Sequence, residues 1–250
     1  MTEIKKISFK NSNGLNLVGV LHNPENKTGS AVIIAHGFTS NKDYPRHIKT
    51  AEALASKGIA AFRMDFGGSS ESDGREITIA GELDDLESAI KYIKNLGYKN
   101  TGLLGESLGG LVSLKAYSDD IKAIVLWAPV THIRQTLQLT DLEKKSLEDR
   151  GYFTIAKDGK DFKIPQEYIN ERLNVDKEIV LREVKIPVLI IHGTGDKTIP
   201  ISDSEDAIGF LPRGSSLDVI KGWGHGEVEM EKQMDVIIPK TTDWFKGHLL

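Results

Sequence analysis

Short apolar runs alternate with helical hydrophobic patterns along almost the whole chain, and few folds accommodate that alternation. A strand, a crossover helix and a second strand make a parallel pair with the helix packed on one face. Repeated, this builds a mostly parallel sheet flanked by helices. Eight runs read as strands: Ile4–Phe9, Leu15–Leu21, Ala31–Ala35, Ala60–Phe66, Thr101–Gly105, Ala123–Ala128, Val188–His192 and Leu217–Ile220. The first two are joined by Asn11-Ser12-Asn13-Gly14, too short for a crossover helix, so they should pair antiparallel before the sheet turns parallel. Helical patterns are plainest at Ile48–Lys57, Ile79–Leu96 and Leu108–Tyr117. In the second, Leu83, Leu86, Ile90, Ile93 and Leu96 recur at spacings of three and four, with acidic residues in the first turns where the helix dipole favours them.

The segment Thr131–Asp176 breaks this alternation after the sixth strand and reads as an insertion. Within it Leu137–Arg150 looks helical, Tyr152–Ile164 looks like a hairpin turning at Lys157-Asp158-Gly159, and Gln166–Leu173 looks helical again. A length of 250 residues suits one large core, so a single α/β domain over 1–250 is expected, with a cap at about 131–176.

Composition removes several classes of function. The chain has no cysteine, which excludes disulfides, thiolate nucleophiles and thiolate metal sites and leaves serine as the leading nucleophile. A net charge of -4 with basic residues scattered among acidic ones argues against a nucleic-acid partner. No apolar run reaches the roughly 18 residues of a membrane span, and Met1–Lys10 lacks the layout of a signal peptide, so the expected address is cytoplasmic.

The strongest local signal is Gly105-Glu106-Ser107-Leu108-Gly109-Gly110, where the strand Thr101–Gly105 meets the helix Leu108–Tyr117. This is a G-x-S-x-G turn of the nucleophile-elbow kind, whose glycines avoid collision with the neighbouring strand and helix. Serine needs a base and an orienting acid. Asp196 follows the strand Val188–His192, and His225 follows the strand Leu217–Ile220, so the order along the chain is Ser107, Asp196, His225. All three fall at carboxyl ends of strands, where open α/β sheets place ligands. Asp203 and Asp206 are rival acids, but they lie in a helical stretch near Ser202–Phe210. Of the other histidines, His22, His47, His132 and His248 fall away from such positions, and His192 should pack or hydrogen-bond. His36, in His36-Gly37-Phe38, should brace its loop. The backbone N–H groups of Phe38 and Leu108 are the expected oxyanion donors.

Together with Asp65-Phe66-Gly67-Gly68-Ser69-Ser70-Glu71-Ser72-Asp73-Gly74 and His192-Gly193-Thr194-Gly195-Asp196, these motifs make the sequence resemble the α/β-hydrolase family over nearly its whole length. Within it the likeness is to esterases and peptidase-like hydrolases grouped with cinnamoyl and feruloyl esterases. Related sequences usually carry a second glycine where Ser70 stands and His, Gln or Tyr where Glu106 stands, so Glu106 is expected to add a local negative charge. The resemblance implies hydrolysis of a small-molecule carboxylic ester through an acyl-enzyme on Ser107, with no metal or organic cofactor. It also makes the insertion a cap over the site. There Tyr152, Phe153, Phe162 and Tyr168 either contact an aromatic acyl group or form the insertion's own core. Amide or thioester cleavage on the same triad and a non-catalytic binding role are the competing readings, and the sequence leaves room for a homodimer.

Overall fold

Successive side chains of a strand point to opposite faces, and in this protein both faces are covered. In the computed structural model, residues 2–26, 28–74, 76–131 and 139–250 are described. The strands are β1 (Glu3–Lys10), β2 (Asn16–Asn23), β3 (Ser30–Ala35), β4 (Ala60–Met64), β5 (Asn100–Glu106), β6 (Ile121–Trp127), β7 (Tyr152–Lys157), β8 (Lys160–Pro165), β9 (Val188–Gly193) and β10 (Ser216–Ile220). The helices are α1 (Pro45–Ser56), α2 (Ile79–Asn95), α3 (Leu108–Lys115), α4 (Asp141–Arg150), α5 (Gln166–Asn174), α6 (Lys177–Glu183), α7 (Ile201–Ala207), α8 (Glu227–Met230) and α9 (Met234–Leu249).

Eight strands form one sheet in the order β1-β2-β4-β3-β5-β6-β9-β10. β2 pairs antiparallel with β1, as the short first link requires, and also with β4, and every later pair is parallel. Ala31, Ile33 and Ala35 of β3 face the core shared with α2 and α3, while Val32 and Ile34 face the core shared with α1 and α9. The same alternation runs through β6 and β9, so the central strands are buried on both sides and read as continuous apolar runs.

Element ends differ from the sequence pattern where polar residues are buried. α1 starts at Pro45 rather than Ile48, because proline suits the first helical turn and Arg46 and His47 are buried through polar partners. α9 is not marked by the pattern, since Pro239 lies inside it.

The insertion folds as α4, the antiparallel hairpin β7-β8 and α5, and α6 follows it directly. The hairpin turns through Asp158 and Gly159, both at positive φ, as a two-residue link demands. α4 begins with a capping box in which Thr140 and Glu143 bond reciprocally. The expected helical start at Leu137 lies outside the described residues. Two seams fix the cap to the body. The amide of Ile77 donates to Lys163 O at 3.0 Å, and the Glu171 carboxylate accepts from the amides of Ile79 at 2.6 Å and Ala80 at 3.0 Å, capping the positive end of α2.

Candidate active site

A side chain that must stand clear of the sheet needs an abrupt turn, and residue 107 makes it at φ 53°, ψ -116°. That strain is tolerated because the flanks are glycine. A Cβ on Gly105 would lie 2.5 Å from Gly109 O, and one on Gly109 would lie 2.4 Å from the carbonyl oxygens of both Ala35 and His36. The elbow is thus wedged against the end of β3, and Gly37 passes so close that a Cβ there would meet Ser107 Cβ at 3.1 Å.

The structure brings the three residues singled out in the sequence into one hydrogen-bonded chain. Ser107 Oγ lies 2.9 Å from His225 Nε2, and His225 Nδ1 lies 2.8 Å from Asp196 Oδ2. The carboxylate can only accept, so Nδ1 carries the proton and Nε2 presents its lone pair to the serine hydroxyl. Asp196 Oδ1 accepts from the amides of Thr198 and Ile199, both at 2.8 Å. Burial works against its charge, but the bonds from His192 and His225 outweigh burial and hold the carboxyl well below the usual carboxylate range.

His192 supports the acid. Its Nε2 faces Ile199 O at 3.0 Å and Asp196 Oδ2 at 3.2 Å, both acceptors, so Nε2 carries the proton and Nδ1 accepts from Ser204 Oγ at 2.7 Å. Of the rival acids, Asp206 pairs with Lys177 at 2.6 Å and Asp203 is buried within α7. His22 accepts from Arg63, His47 meets Glu106 and His248 stacks on Trp244. His132 lies outside the described residues.

His36 braces the loop it opens. Its Nε2 accepts from the amide of Phe66 at 3.1 Å, and its Nδ1 donates to Gly37 O at 2.8 Å, which ties the loop after β3 to the loop after β4. Burial pushes its pKa down to about 4. Among the described residues the amides of Phe38 and Leu108 donate to no protein acceptor, and both residues line the space in front of Ser107.

Glu106 departs from expectation. Its carboxylate takes two bonds from Arg46, at 2.6 and 2.8 Å, and one from His47 at 2.9 Å. Burial disfavours the charge, yet Arg46 and His47 hold the group well below its ordinary pKa, so the anion is neutralised in place instead of projecting a field into the site.

A cavity of about 210 Å³ opens at Ser107 beneath the cap. Phe38 and Tyr168 form one wall, stacked at 5.3 Å with 13° between planes, and Phe153, Ile155 and Leu139 add apolar surface. Tyr152 is not among the lining residues. It precedes Phe153 on β7 and so faces the other side of the hairpin, where Arg150 and Lys163 sit over its ring. Phe162 belongs to the buried core. Sequence reasoning missed Arg172, which reaches the cavity and donates to Tyr168 Oη at 3.2 Å; its spacing of four residues from Tyr168 on one helix was the available signal. Among the described residues no group of three or more His, Asp or Glu side chains is placed to hold a metal ion, and no helix is long and apolar enough to cross a membrane.

The sheet order, the elbow at the end of β5 and the chain Ser107–His225–Asp196 are those of an α/β hydrolase. More than half of the chain, residues 26–157, matches the profile of the hydrolase family described as "Serine aminopeptidase, S33", and the protein belongs to that family. It is 28% identical to the uncharacterized protein YfhR of Salmonella typhimurium over 88% of this chain and 77% of that one. It is 20% identical to a monoacylglycerol lipase of Mycolicibacterium smegmatis, over 97% of each chain. A Butyrivibrio proteoclasticus protein solved with ferulic acid bound has the same fold, with a TM-score of 0.83 and 24% identity over 97% of this chain and 98% of that one.

Proposed function

We propose that the protein hydrolyses carboxylic esters through an acyl-enzyme on Ser107, with His225 as general base and Asp196 holding the imidazole in the right tautomer. The observation that carries this reading is the unbroken chain of bonds at 2.9 and 2.8 Å from serine to imidazole to carboxylate. In the first step His225 Nε2 takes the Ser107 proton as Oγ attacks the ester carbonyl, and the amides of Phe38 and Leu108 stabilise the oxyanion. The imidazolium then returns the proton to the leaving alcohol. Water, activated by the same nitrogen, releases the acid and restores the serine. A lipase among the full-length relatives supports an ester as the scissile bond.

The cap supports an acyl group of cinnamoyl or feruloyl type. At about 210 Å³ the cavity is smaller than the roughly 300–1,000 Å³ of sites that swallow a drug-sized ligand. It suits one flat arm of a substrate, and the Phe38–Tyr168 wall and Phe153 offer aromatic surface to it. The ferulic acid bound to the Butyrivibrio protein fits the same picture.

The family description favours amide cleavage as a second reading. An aminopeptidase needs an anion for the substrate's amino terminus, and Glu143, whose Oε2 accepts from the Thr140 amide and hydroxyl at the start of α4, lines the cavity. A paired assay of aryl esters, short alkyl esters and aminoacyl amides, with Ser107→Ala as control, separates the two. Ester turnover exceeding amide turnover and vanishing in Ser107→Ala is expected. Amide preference reverses the assignment.

A further inference from the structure

Tyr44 and Arg46 stand where the loop after β3 enters α1, and between them they reach both sides of the Ser107–His225 pair and the tip of the cap. Arg46 is buried and grips Glu106, the residue before the nucleophile, through two bonds. Its Nη1 and its backbone amide also donate to Glu231 Oε1, at 3.0 and 3.2 Å. Tyr44, whose ring lies 4.4 Å beneath the Arg46 guanidinium, donates its hydroxyl to Glu227 Oε1 at 2.5 Å. Glu227 opens α8, two residues after His225, and Glu231 follows its last turn. One short stretch of chain therefore clamps the loop of the base at both ends and the elbow of the nucleophile from behind.

The cap hairpin joins the same clamp. Asp158 Oδ2, at the turn of β7-β8, lies 3.1 Å from the Tyr44 hydroxyl, and Lys157 Nζ lies 2.8 Å from Glu227 Oε1. A phenol has a single proton to donate, so the two carboxylates compete for it, and Glu227 holds the shorter contact. These contacts are partly exposed, so they add little to global stability. What they can govern is placement, where a displacement of about 1 Å costs on the order of 10²-fold in rate.

We propose that Tyr44 is a positioning residue: through Glu227 it sets where the loop bearing His225 lies against the elbow, and through Asp158 and Lys157 it makes that placement depend on how the cap hairpin is seated. The inference rests on the reading of Ser107 and His225 as nucleophile and base. Tyr44 touches neither, so it acts through α8.

Tyr44→Phe keeps the ring and removes only the hydroxyl. Its effect is read first as the rate at which a fluorophosphonate probe labels Ser107, which requires no knowledge of the natural substrate. A fall of about fivefold or more is expected, with the melting temperature held and with a matching fall in kcat, at unchanged KM, on a short-chain aryl ester. The pair Lys157→Ala and Asp158→Gly, in which glycine suits the positive φ of the turn, frees the hairpin without altering Tyr44. Labelling should slow there too, and adding Tyr44→Phe should then cost less than it costs the intact protein. Labelling and kcat within about twofold of wild type in Tyr44→Phe, or a change confined to KM or to melting temperature, overturns the proposal; full additivity overturns the link to the cap. Ser107→Ala keeps the two readings apart. Wild-type protein that resists labelling sinks both, whereas labelled wild type with an unaffected Tyr44→Phe sinks the positioning role alone.

Discussion

Ser107 sits at φ 53°, a conformation that non-glycine residues rarely adopt, and the residues around it are chosen for what they cannot do. Asp196 cannot donate a proton to its histidine, which leaves His225 one usable tautomer. Asp196→Asn admits the other, so kcat/KM on an aryl ester should fall on the order of 10⁴-fold with the fold intact by circular dichroism. A loss under tenfold, with a larger loss in Asp203→Asn, moves the acid elsewhere. His36 gives a pH prediction. Its pKa is about 4 in the fold and near 6.5 in an unfolded chain, so the unfolded state binds the extra proton between those values. Its contribution is fully present above about 6.5 and is lost as pH falls towards 4, up to roughly 3 kcal/mol. Glu82 and Asp85 shift the opposite way, both raised by burial, and His22 is lowered by burial as His36 is, so the total curve mixes several groups. The comparison that isolates His36 is chemical denaturation of wild type and His36→Gln from pH 7 to 5. The variant should be less stable at pH 7 and lose less on acidification, and parallel curves contradict the assignment.

At the scale of elements, the elbow and the cap hairpin make opposite demands. The turn from β5 to α3 tolerates no added atom, because two backbone carbonyls stand 2.4 Å from where a Cβ on Gly109 would go. Gly109→Ala should destabilise by about 3 kcal/mol or more, at the upper end of overpacking costs, or yield protein too poorly folded for labelling at Ser107. The hairpin instead sorts its side chains by alternation. Phe153 meets the cavity beside Tyr168 of α5, and Tyr152 does not. Phe153→Ala and Tyr168→Ala should each change the ratio of kcat/KM between aryl and short alkyl esters by about 1–3 kcal/mol, while Tyr152→Ala leaves the ratio unchanged. If all three behave alike, the cap acts only as a cover and the aryl preference must originate in the body.

Across the whole molecule, what was legible in the sequence is what rests on local pattern. Strands buried on both faces declare themselves as apolar runs, and Ser107 and Asp196 each follow one while His225 follows the edge strand β10, so fold and candidate triad could be read together. What stayed hidden depends on partners far apart in the chain. Glu106 looked like an added charge because nothing local announces Arg46 behind it. Tyr152 and Phe153 are equally aromatic, and alternation says they face apart without saying which one meets the site. Pro239 masked α9, whose residues close the second core. Everything proposed for the site depends on Ser107 being the nucleophile that His225 and Asp196 activate. Intact-mass analysis and peptide mapping after fluorophosphonate treatment test it most directly, alongside aryl ester turnover. One adduct on Ser107 is expected, formed much more slowly in His225→Ala, absent from Ser107→Ala, and accompanied by loss of turnover in both. An adduct on another residue, or turnover surviving in Ser107→Ala, would contradict it.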